Sequence, residues 1–571
     1  MLNKKVAEIF QNISSMLALK GENHFRVRAY EHAAGIIEDL TEDVKDIAQR
    51  GALTEIEGIG KDLAEKINDI ITGDTTALYE DLKKEIPSGL LELLRVPGLG
   101  PKTVKLIYDR TKIDSVEKLE KAAKTRQLAE LPGIREKTIE NIIHGIGIYQ
   151  RGQEAVLNPV AHRIAGQFVD SLKNLKEVGQ ISVAGSLRRE KGAVRDIDIL
   201  IAGNPMQKII DEFVKLPIVK ETRERGPAKS SVIARENNIQ VDLRIVEKQS
   251  FGAALLYFTG SKEFNIKLRE SAIAHGYKLN EYGVFDGKEK CLAGKTEEEV
   301  FALLGMDYIP PELREDRGEI DAAISHNLPR LVELSDIKGD LHVHSTYSDG
   351  LSTIEEDAAQ AQALGYRYIA VCDHSQSLHI AKGLSRNEIH KKSEEIRALN
   401  KKYNNFRILC GTEVDINNDG SLDYPDETLK EFDLVVAAVH SGLRQSKKQL
   451  TKRIVSACKN KYAHIIAHPT GKLAGQRDAY DIDLNEVFKA AADYNTALEI
   501  NSYPQRLDLN DTNAMAAKKR GVKIAIDTDS HQFRQMEAMG LGVNVGRRAW
   551  LTKNDVINCM GLEELMKWLE K

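Results

Sequence analysis

Three kinds of hydrophobic spacing follow one another along the chain. Through the first 150 residues the apolar positions recur at helical spacing, and one short pattern appears three times. It runs apolar, any residue, Gly, apolar, Gly or Arg, then a helix: IEGIGKDLAEKI from Ile56, VPGLGPKTVKLI from Val96 and LPGIREKTIENI from Leu131. From residue 151 to 315 strand-like alternation takes over, most clearly in DIDIL (Asp196–Leu200) and IQVDLRIV (Ile239–Val246). A polar stretch at 316–336 follows. Short apolar runs then alternate with helical segments, which predicts a parallel α/β arrangement. At 571 residues the chain exceeds what one hydrophobic core can organise, so three or more domains are expected.

The repeated pattern implies a repeated chemistry. Gly58, Gly98 and Gly133 permit a tight turn, and Gly60 and Gly100 open the next helix. Backbone N–H groups at such a helix start attract phosphate, which positions a nucleic acid without reading its sequence. Lys102, with Arg95, Lys105 and Arg110, surrounds the second copy with positive charge. The three turns resemble the helix-hairpin-helix motif of DNA repair and replication proteins. Lys66 lies on the helix after the first turn, downstream of Arg26, Arg28 and Tyr30. A lysine amine beside a bound phosphate can attack a sugar aldehyde.

In GSLRREKGAVRDIDIL, from Gly185, Asp196 and Asp198 alternate with Ile197 and Ile199, so both carboxylates project from one strand face. Asp242 occupies the polar face of the second alternating run. If the two strands are neighbours, three carboxylates converge. Such a trio suits two magnesium ions that activate a 3′-hydroxyl and stabilise a leaving pyrophosphate.

These motifs, with YFTGSKEFNIKLRE from Tyr257, resemble a family X DNA polymerase of the DNA polymerase beta type. The resemblance implies a palm in which Asp196, Asp198 and Asp242 are catalytic metal ligands, while Gly185, Ser186 and Arg189 hold the triphosphate. It implies that Tyr257, Phe258 and Gly260 crowd the sugar to select deoxyribose, and that Asn265 and Arg269 contact the incoming base and the template minor groove. Lys66 falls on the family's 5′-deoxyribose-phosphate lyase nucleophile and Tyr30 on its pocket. Two positions depart from the pattern: Asp62 replaces a phosphate-pocket lysine, and Lys262 replaces an acidic residue.

In the C-terminal half, ligand-type residues appear wherever an apolar run ends: His342, His344 and Asp349, then Asp373-His374, Glu413, His440, His468, and finally Asp529 and His531. Active sites of α/β barrels lie at the C-terminal ends of their strands. Mixed imidazole and carboxylate donors suit zinc, manganese or iron, and nine donors suffice for about three ions. Such a site can generate hydroxide at neutral pH and clamp a phosphate ester. His379, His390 and His464 are expected to be structural or solvated, and Asp527 and Glu499 to support the ligands from behind. This half resembles the PHP (polymerase and histidinol phosphatase) domain, with every motif position filled.

The expected architecture is therefore multidomain. A helical, helix-hairpin-helix DNA-binding region spans 1–90 (lyase-like) and 91–150. An α+β nucleotidyltransferase palm (151–250) and thumb (251–315) follow, then a linker (316–336) and a distorted TIM-like α/β PHP barrel (337–571). That order resembles the bacterial PolX polymerases. It implies a DNA-templated, gap-filling polymerase of base excision repair with a metal-dependent 3′→5′ exonuclease, and raises cleavage at abasic sites. Expected cofactors are Mg²⁺ in the palm and up to three Mn²⁺ or Zn²⁺ ions in the barrel. Expected partners are gapped or nicked double-stranded DNA and dNTPs, with the enzyme monomeric. Composition changes this picture little. A net charge of −5 requires any DNA surface to be local, five scattered cysteines fit a reducing cytoplasm, and no apolar run suits a membrane helix. A cytoplasmic, nucleoid-associated enzyme is expected. The alternatives are a PHP phosphatase fused to a DNA-binding module, a binding protein with an inactive palm, and a template-independent nucleotidyltransferase.

Overall fold

The computed structural model describes residues 2–40, 43–56 and 58–570, so Glu57 of the first repeated turn lies outside the described residues. The chain divides into two compact units, residues 1–153 with 475–477, and residues 154–474 with 478–571.

The first unit is helical and built on one continuous core that includes Phe10, Ile13, Leu17, Ile37, Val104 and Leu119. The three repeats fold alike. Gly58, Gly98 and Gly133 have φ of 85°, 86° and 85°, a region that L side chains avoid. In each turn the second apolar residue donates its N–H to the carbonyl of the first: Ile59 to Ile56, Leu99 to Val96 and Ile134 to Leu131. Gly60 and Gly100 then cap the helices Lys61–Gly73 and Pro101–Thr111, with Pro101 at a position where its missing N–H costs nothing.

The second unit opens with a five-stranded sheet in the order Val178–Val183, Asp196–Gly203, Gln240–Val246, Lys229–Ala234, Val219–Arg225. Its middle pair, Asp196–Gly203 and Gln240–Val246, is parallel, and the other neighbours are antiparallel. Ile197, Ile199, Ile201, Val241, Leu243 and Ile245 carry the alternation into the core. A tight turn with Asn237 and Asn238 at φ of 54° and 51° joins the last two strands in sequence. The helices Phe251–Thr259 and Lys262–Ala274, a small three-stranded sheet and the helix Glu297–Leu303 form a separate core around Phe264, Val284 and Phe301.

The stretch 316–336 is no bare tether. It contains the helix Glu319–Ile324, Arg317 pairs with Asp511 at 3.1 Å, and Val332 is fully buried in the barrel's main core. Seven parallel strands follow in chain order: Gly339–Val343, Tyr368–Val371, Arg407–Asp415, Leu434–Ala438, Ile465–Ile466, Ala497–Asn501 and Ile524–Asp527. A parallel bridge between Val343 and Ser530 brings the last strand back to the first, which nearly closes a TIM-like barrel. All seven strands are buried along most of their length, as parallel strands with covered faces require.

Candidate active sites

The palm site follows from strand register. Asp198 lies directly opposite Asp242, and Asp196 opposite Gln240, so the three carboxylates share one face of two adjacent strands. Burial, then the charges of Asp196 and Asp242, push Asp198 up to about 7. Burial and Asp242 likewise raise Asp196. Gln240 Nε2 donates to both oxygens of Asp242, at 3.1 and 3.2 Å. The preceding turn must come very close: a Cβ on Gly185 would sit 2.1 Å from Asp198 Oδ2, and Gly185 has φ of 64°. Carboxylates crowded together and partly stripped of water fit a hard divalent cation.

The two arginines of this motif are occupied. Arg188 forms a bidentate pair with Glu297, both contacts at 2.7 Å, and donates to Thr259 Oγ1. Glu297 is also held by the fully buried Arg314, at 2.6 and 3.1 Å. Arg189 is 7% exposed, with Nε on Glu315 at 2.9 Å and Nη1 on the Thr259 carbonyl at 2.5 Å. The expected triphosphate holder therefore points into the joint between palm and thumb. Gly260 closes that joint, where a Cβ would meet Arg189 Nη1 at 3.2 Å. Tyr257 and Phe258 pack edge-on at 5.1 Å, and Phe258 lies 4.4 Å from the Arg244 guanidinium. Asn265 donates to the Tyr257 carbonyl at 2.7 Å, and Arg269 to the Asn265 carbonyl at 3.2 Å, so these two expected contacts form one exposed helix face.

In the barrel, all nine expected ligands converge. Among the described residues three groups have ligand atoms within 4.8 Å of one another: His344, Asp349, His374 and His531; His342, His344 and Asp529; and His374, Glu413 and His440. The palm trio is not among these tight groups and is the more open site. His468 Nε2 reaches Glu413 Oε1 at 3.1 Å, joining the last ligand to the set. The pattern arises because each side chain stands at or just beyond the C-terminal end of a barrel strand, apart from Asp349, which comes from the turn that follows the first strand. His344 Nδ1, His374 Nδ1, Glu413 Oε2, His440 Nδ1 and His468 Nδ1 are buried without a hydrogen-bond partner. Yet His374 Nδ1 lies 2.8 Å from Glu413 Oε2. Buried donor atoms packed this closely fit cations between them, and the mixed donors suit transition metals.

Electrostatics divide the cluster. Burial, then repulsion from His531 and His374, pushes His344 down to about 4, and burial with Arg506 pushes His468 down to about 3. Burial also works against charge on His374 and His440, but Glu413 outweighs it and they rise to about 10 and about 9. Supporting groups stand behind the ligands. Glu499 Oε1 is 2.7 Å from His342 Nδ1 and its other oxygen accepts the His468 N–H at 2.6 Å; Asp527 accepts from Leu341 N and Asn558 Nδ2. Asp373 takes no part in the three groups. It accepts from Ser345 and Ser348 and pairs with the fully buried Lys392 at 2.7 Å. His464 is structural, with Nδ1 accepting from Val435 N.

Several contributors carried weaker sequence signals. Asn501, at a strand end, donates to Asp529 Oδ2 at 3.0 Å, and the strand-end rule would have found it. Arg506, 3.4 Å from Asp529, sits in a loop with no periodic signal. Lys392 interrupts the apolar helix stripe of Ile389, Ile396 and Leu399, a detectable anomaly.

In the first unit, Lys66 forms an ion pair with Asp62 and its Nζ also donates to the Asp62 carbonyl at 3.3 Å. Burial would lower the Lys66 pKa, but Asp62 and Tyr30 outweigh it and raise it. An amine held charged is a poor nucleophile.

Profiles of known families match four stretches: a helix-hairpin-helix domain at 1–76, a SAM-like helix-hairpin-helix tandem at 90–147, a DNA polymerase beta thumb at 254–315 and a PHP domain at 340–503. The chain is 37% identical over 577 residues to the DNA polymerase/3′-5′ exonuclease PolX of Bacillus subtilis (strain 168), covering 100% of both. It is 25% identical over 348 residues to DNA polymerase lambda of Rattus norvegicus, covering 55% of this chain and 56% of that one. It is 32% identical over 231 residues to a probable phosphatase of Thermoanaerobacter sp. (strain X514), covering 38% of this chain and 89% of that one.

Proposed function

The chain belongs to the PolX family of DNA polymerases with 3′→5′ exonuclease activity, and we propose that its two donor sets divide these opposite reactions between them. The observation that carries this is the sorting of candidate ligands: three oxygen donors on one strand pair of the palm, and nine mixed donors in the barrel, His468 joining the other eight through Glu413. Full-length similarity disfavours the reading as a phosphatase fused to a DNA-binding module.

In the palm, Asp196, Asp198 and Asp242 would hold Mg²⁺. Magnesium when bound supplies charge neutralisation for the triphosphate and for the primer 3′-oxygen. Asp242, oriented by Gln240, is the carboxylate best placed to accept the primer hydroxyl proton. Ser186 and the turn at Gly185 bind the triphosphate, with Arg189 once it leaves Glu315. Tyr257, Phe258 and Gly260 exclude a ribose hydroxyl, and Asn265 and Arg269 meet the base and the template minor groove. In the barrel, His342, His344, Asp349, His374, Glu413, His440, His468, Asp529 and His531 would hold up to three Mn²⁺ or Zn²⁺ ions. Those ions supply Lewis acidity and an activated water for phosphodiester hydrolysis. Glu499 and Asn501 orient the donors, and Arg506 stands where a scissile phosphate would be drawn in. The turns at Gly58, Gly60, Gly98, Gly100, Lys102 and Gly133 bind DNA backbone. The substrate is gapped DNA and the enzyme a monomer of the cytoplasm, working at the nucleoid. Among the described residues no helix is long and apolar enough to cross a membrane. A lyase step at Lys66 would require its amine to leave Asp62 first.

The test is one-nucleotide-gapped DNA with dNTPs and Mg²⁺ or Mn²⁺. Asp196→Ala/Asp198→Ala is expected to lose extension and keep degradation, and His342→Ala/His344→Ala to do the reverse. Loss of both activities in either variant would overturn the division.

A further inference from the structure

The helix Met539–Arg548 of the barrel half grips the nucleotide-binding turn of the palm. Arg548, 5% exposed, donates through Nη1 to the main-chain carbonyl of Arg189 at 2.6 Å and reaches Glu315 Oε1 at 3.1 Å. One turn earlier, Asn544 donates to Glu190 Oε2 at 3.0 Å. The second guanidinium nitrogen of Arg548 holds Asp511 at 2.8 Å, which also pairs with Arg317.

The shared atom is Glu315 Oε1. It lies 2.9 Å from Arg189 Nε and 3.1 Å from Arg548 Nη1, with Lys191 at 3.7 Å from the other oxygen. Burial works against the Glu315 charge, but Arg189 and Arg548 outweigh it and keep the carboxyl ionised below its usual range. Nε of Arg189 is held by Glu315 and Nη1 by the Thr259 carbonyl, so turning the guanidinium fully towards a triphosphate loosens both contacts. A buried carboxylate left without a cation is strongly unfavourable. Arg548 is already on the same oxygen, so Glu315 is not stranded when Arg189 departs.

The geometry points to Arg548 as a positioning residue of the polymerase site, supplied by the exonuclease half of the chain: it holds Glu315 so that Arg189 can leave for the incoming nucleotide. This rests on the reading of Arg189 as a triphosphate ligand. Without Arg548, Glu315 keeps Arg189 for itself. Nucleotide binding suffers, while the chemical step, which uses other groups, does not.

Steady-state gap filling by the full-length enzyme tests this. Arg548→Met is expected to raise the KM for dNTP about tenfold, a typical coupling within one charged network, with kcat and exonuclease rate within about twofold. Arg548→Lys, which restores the charge, should recover most of the loss. In a Glu315→Gln background, Arg548→Met should shift KM by less than about twofold, because the competing charge is gone. A merely structural Arg548 would lower kcat or alter both backgrounds equally, and either result overturns the inference. An unchanged KM in Arg548→Met overturns it as well. Arg189→Met separates the premises. If it leaves the dNTP KM unchanged, the reading of Arg189 fails; if it raises KM while Arg548→Met does not, only the role of Arg548 fails.

Discussion

The palm and the barrel gather their candidate metal donors in opposite ways. The palm trio comes from two adjacent strands, and Asp196 is the most solvent-open of the three. The barrel set comes from the ends of strands around a nearly closed sheet, and His342, His344, Glu413 and His468 are almost fully buried. On the proposed reading the palm would leave coordination positions for substrate oxygens and be complete only when nucleotide and primer arrive. The barrel carries enough donors to be complete beforehand, and it pays for that with buried charge: Glu499 stands behind His342, and the Asp373–Lys392 pair ties down the adjoining turn at Ser345 and Ser348. On the proposed division, the site that makes a bond waits for its substrate, whereas the one that hydrolyses the same bond is built in advance.

The sharpest way to break this contrast is to remove the Asp373–Lys392 pair. Lys392→Met leaves Asp373 buried without its cation, so the barrel should lose about 3–5 kcal/mol of stability, with exonuclease activity falling at temperatures that spare polymerase kcat at saturating dNTP. Differential scanning calorimetry reads the first and gapped-DNA assays the second; parallel loss of both activities would show that the two halves do not melt separately.

Next comes the palm–thumb joint. Burial alone would raise the Glu297 pKa, but Arg188 and Arg314 hold it at about 2 instead of the usual 4.5. A carboxyl with a depressed folded-state pKa contributes stability that is present above about pH 4.5 and lost as pH falls towards 2. The contribution is on the order of 3 kcal/mol. Glu297→Gln should flatten the acid limb of the stability curve over that window, and an unchanged limb would assign acid sensitivity elsewhere.

Gly185→Ala tests how open the palm really is. A methyl 2.1 Å from Asp198 Oδ2 must displace the carboxylate or the turn. Polymerase kcat/KM should fall about a hundredfold, the cost of a misplacement near 1 Å. Exonuclease activity should not change. If polymerase activity survives, Asp198 has more freedom than the register implies. The smallest effect is expected at Gly98→Ala, where φ is 86°. It should cost about 1 kcal/mol of stability and weaken affinity for gapped DNA in a fluorescence anisotropy titration, with both catalytic rates preserved at saturating DNA.

Much of this was legible from residue order because the relevant geometry is periodic. Alternation put Asp196 and Asp198 on one face and Asp242 on its counterpart, and the structure pairs those strands in parallel. Strand ends marked the barrel ligands, and the structure brings all nine together. What spacing could not show was who already holds a side chain. Arg189 reads as a free phosphate ligand until Glu315 and Thr259, far along the chain, are seen to occupy it. Lys66 resembles a nucleophile in its motif, yet the departure at Asp62 proves to be its ion-pair partner. The stretch 316–336 looks like a polar link by composition, but Val332 and Arg317 anchor it through partners that no local pattern reveals.

The pairing of Asp198 with Asp242 also says where the palm can be rebuilt. Their alignment is set by the ladder between the two strands, and the strand Lys229–Ala234 supports it from the other side, with Ser231 opposite Asp242. The exposed Asn237-Asn238 tip is thus a natural splice point. A reporter domain inserted there, or new chain termini opened there, should leave the carboxylates in register, making this tip a handle for following primer extension on a working enzyme.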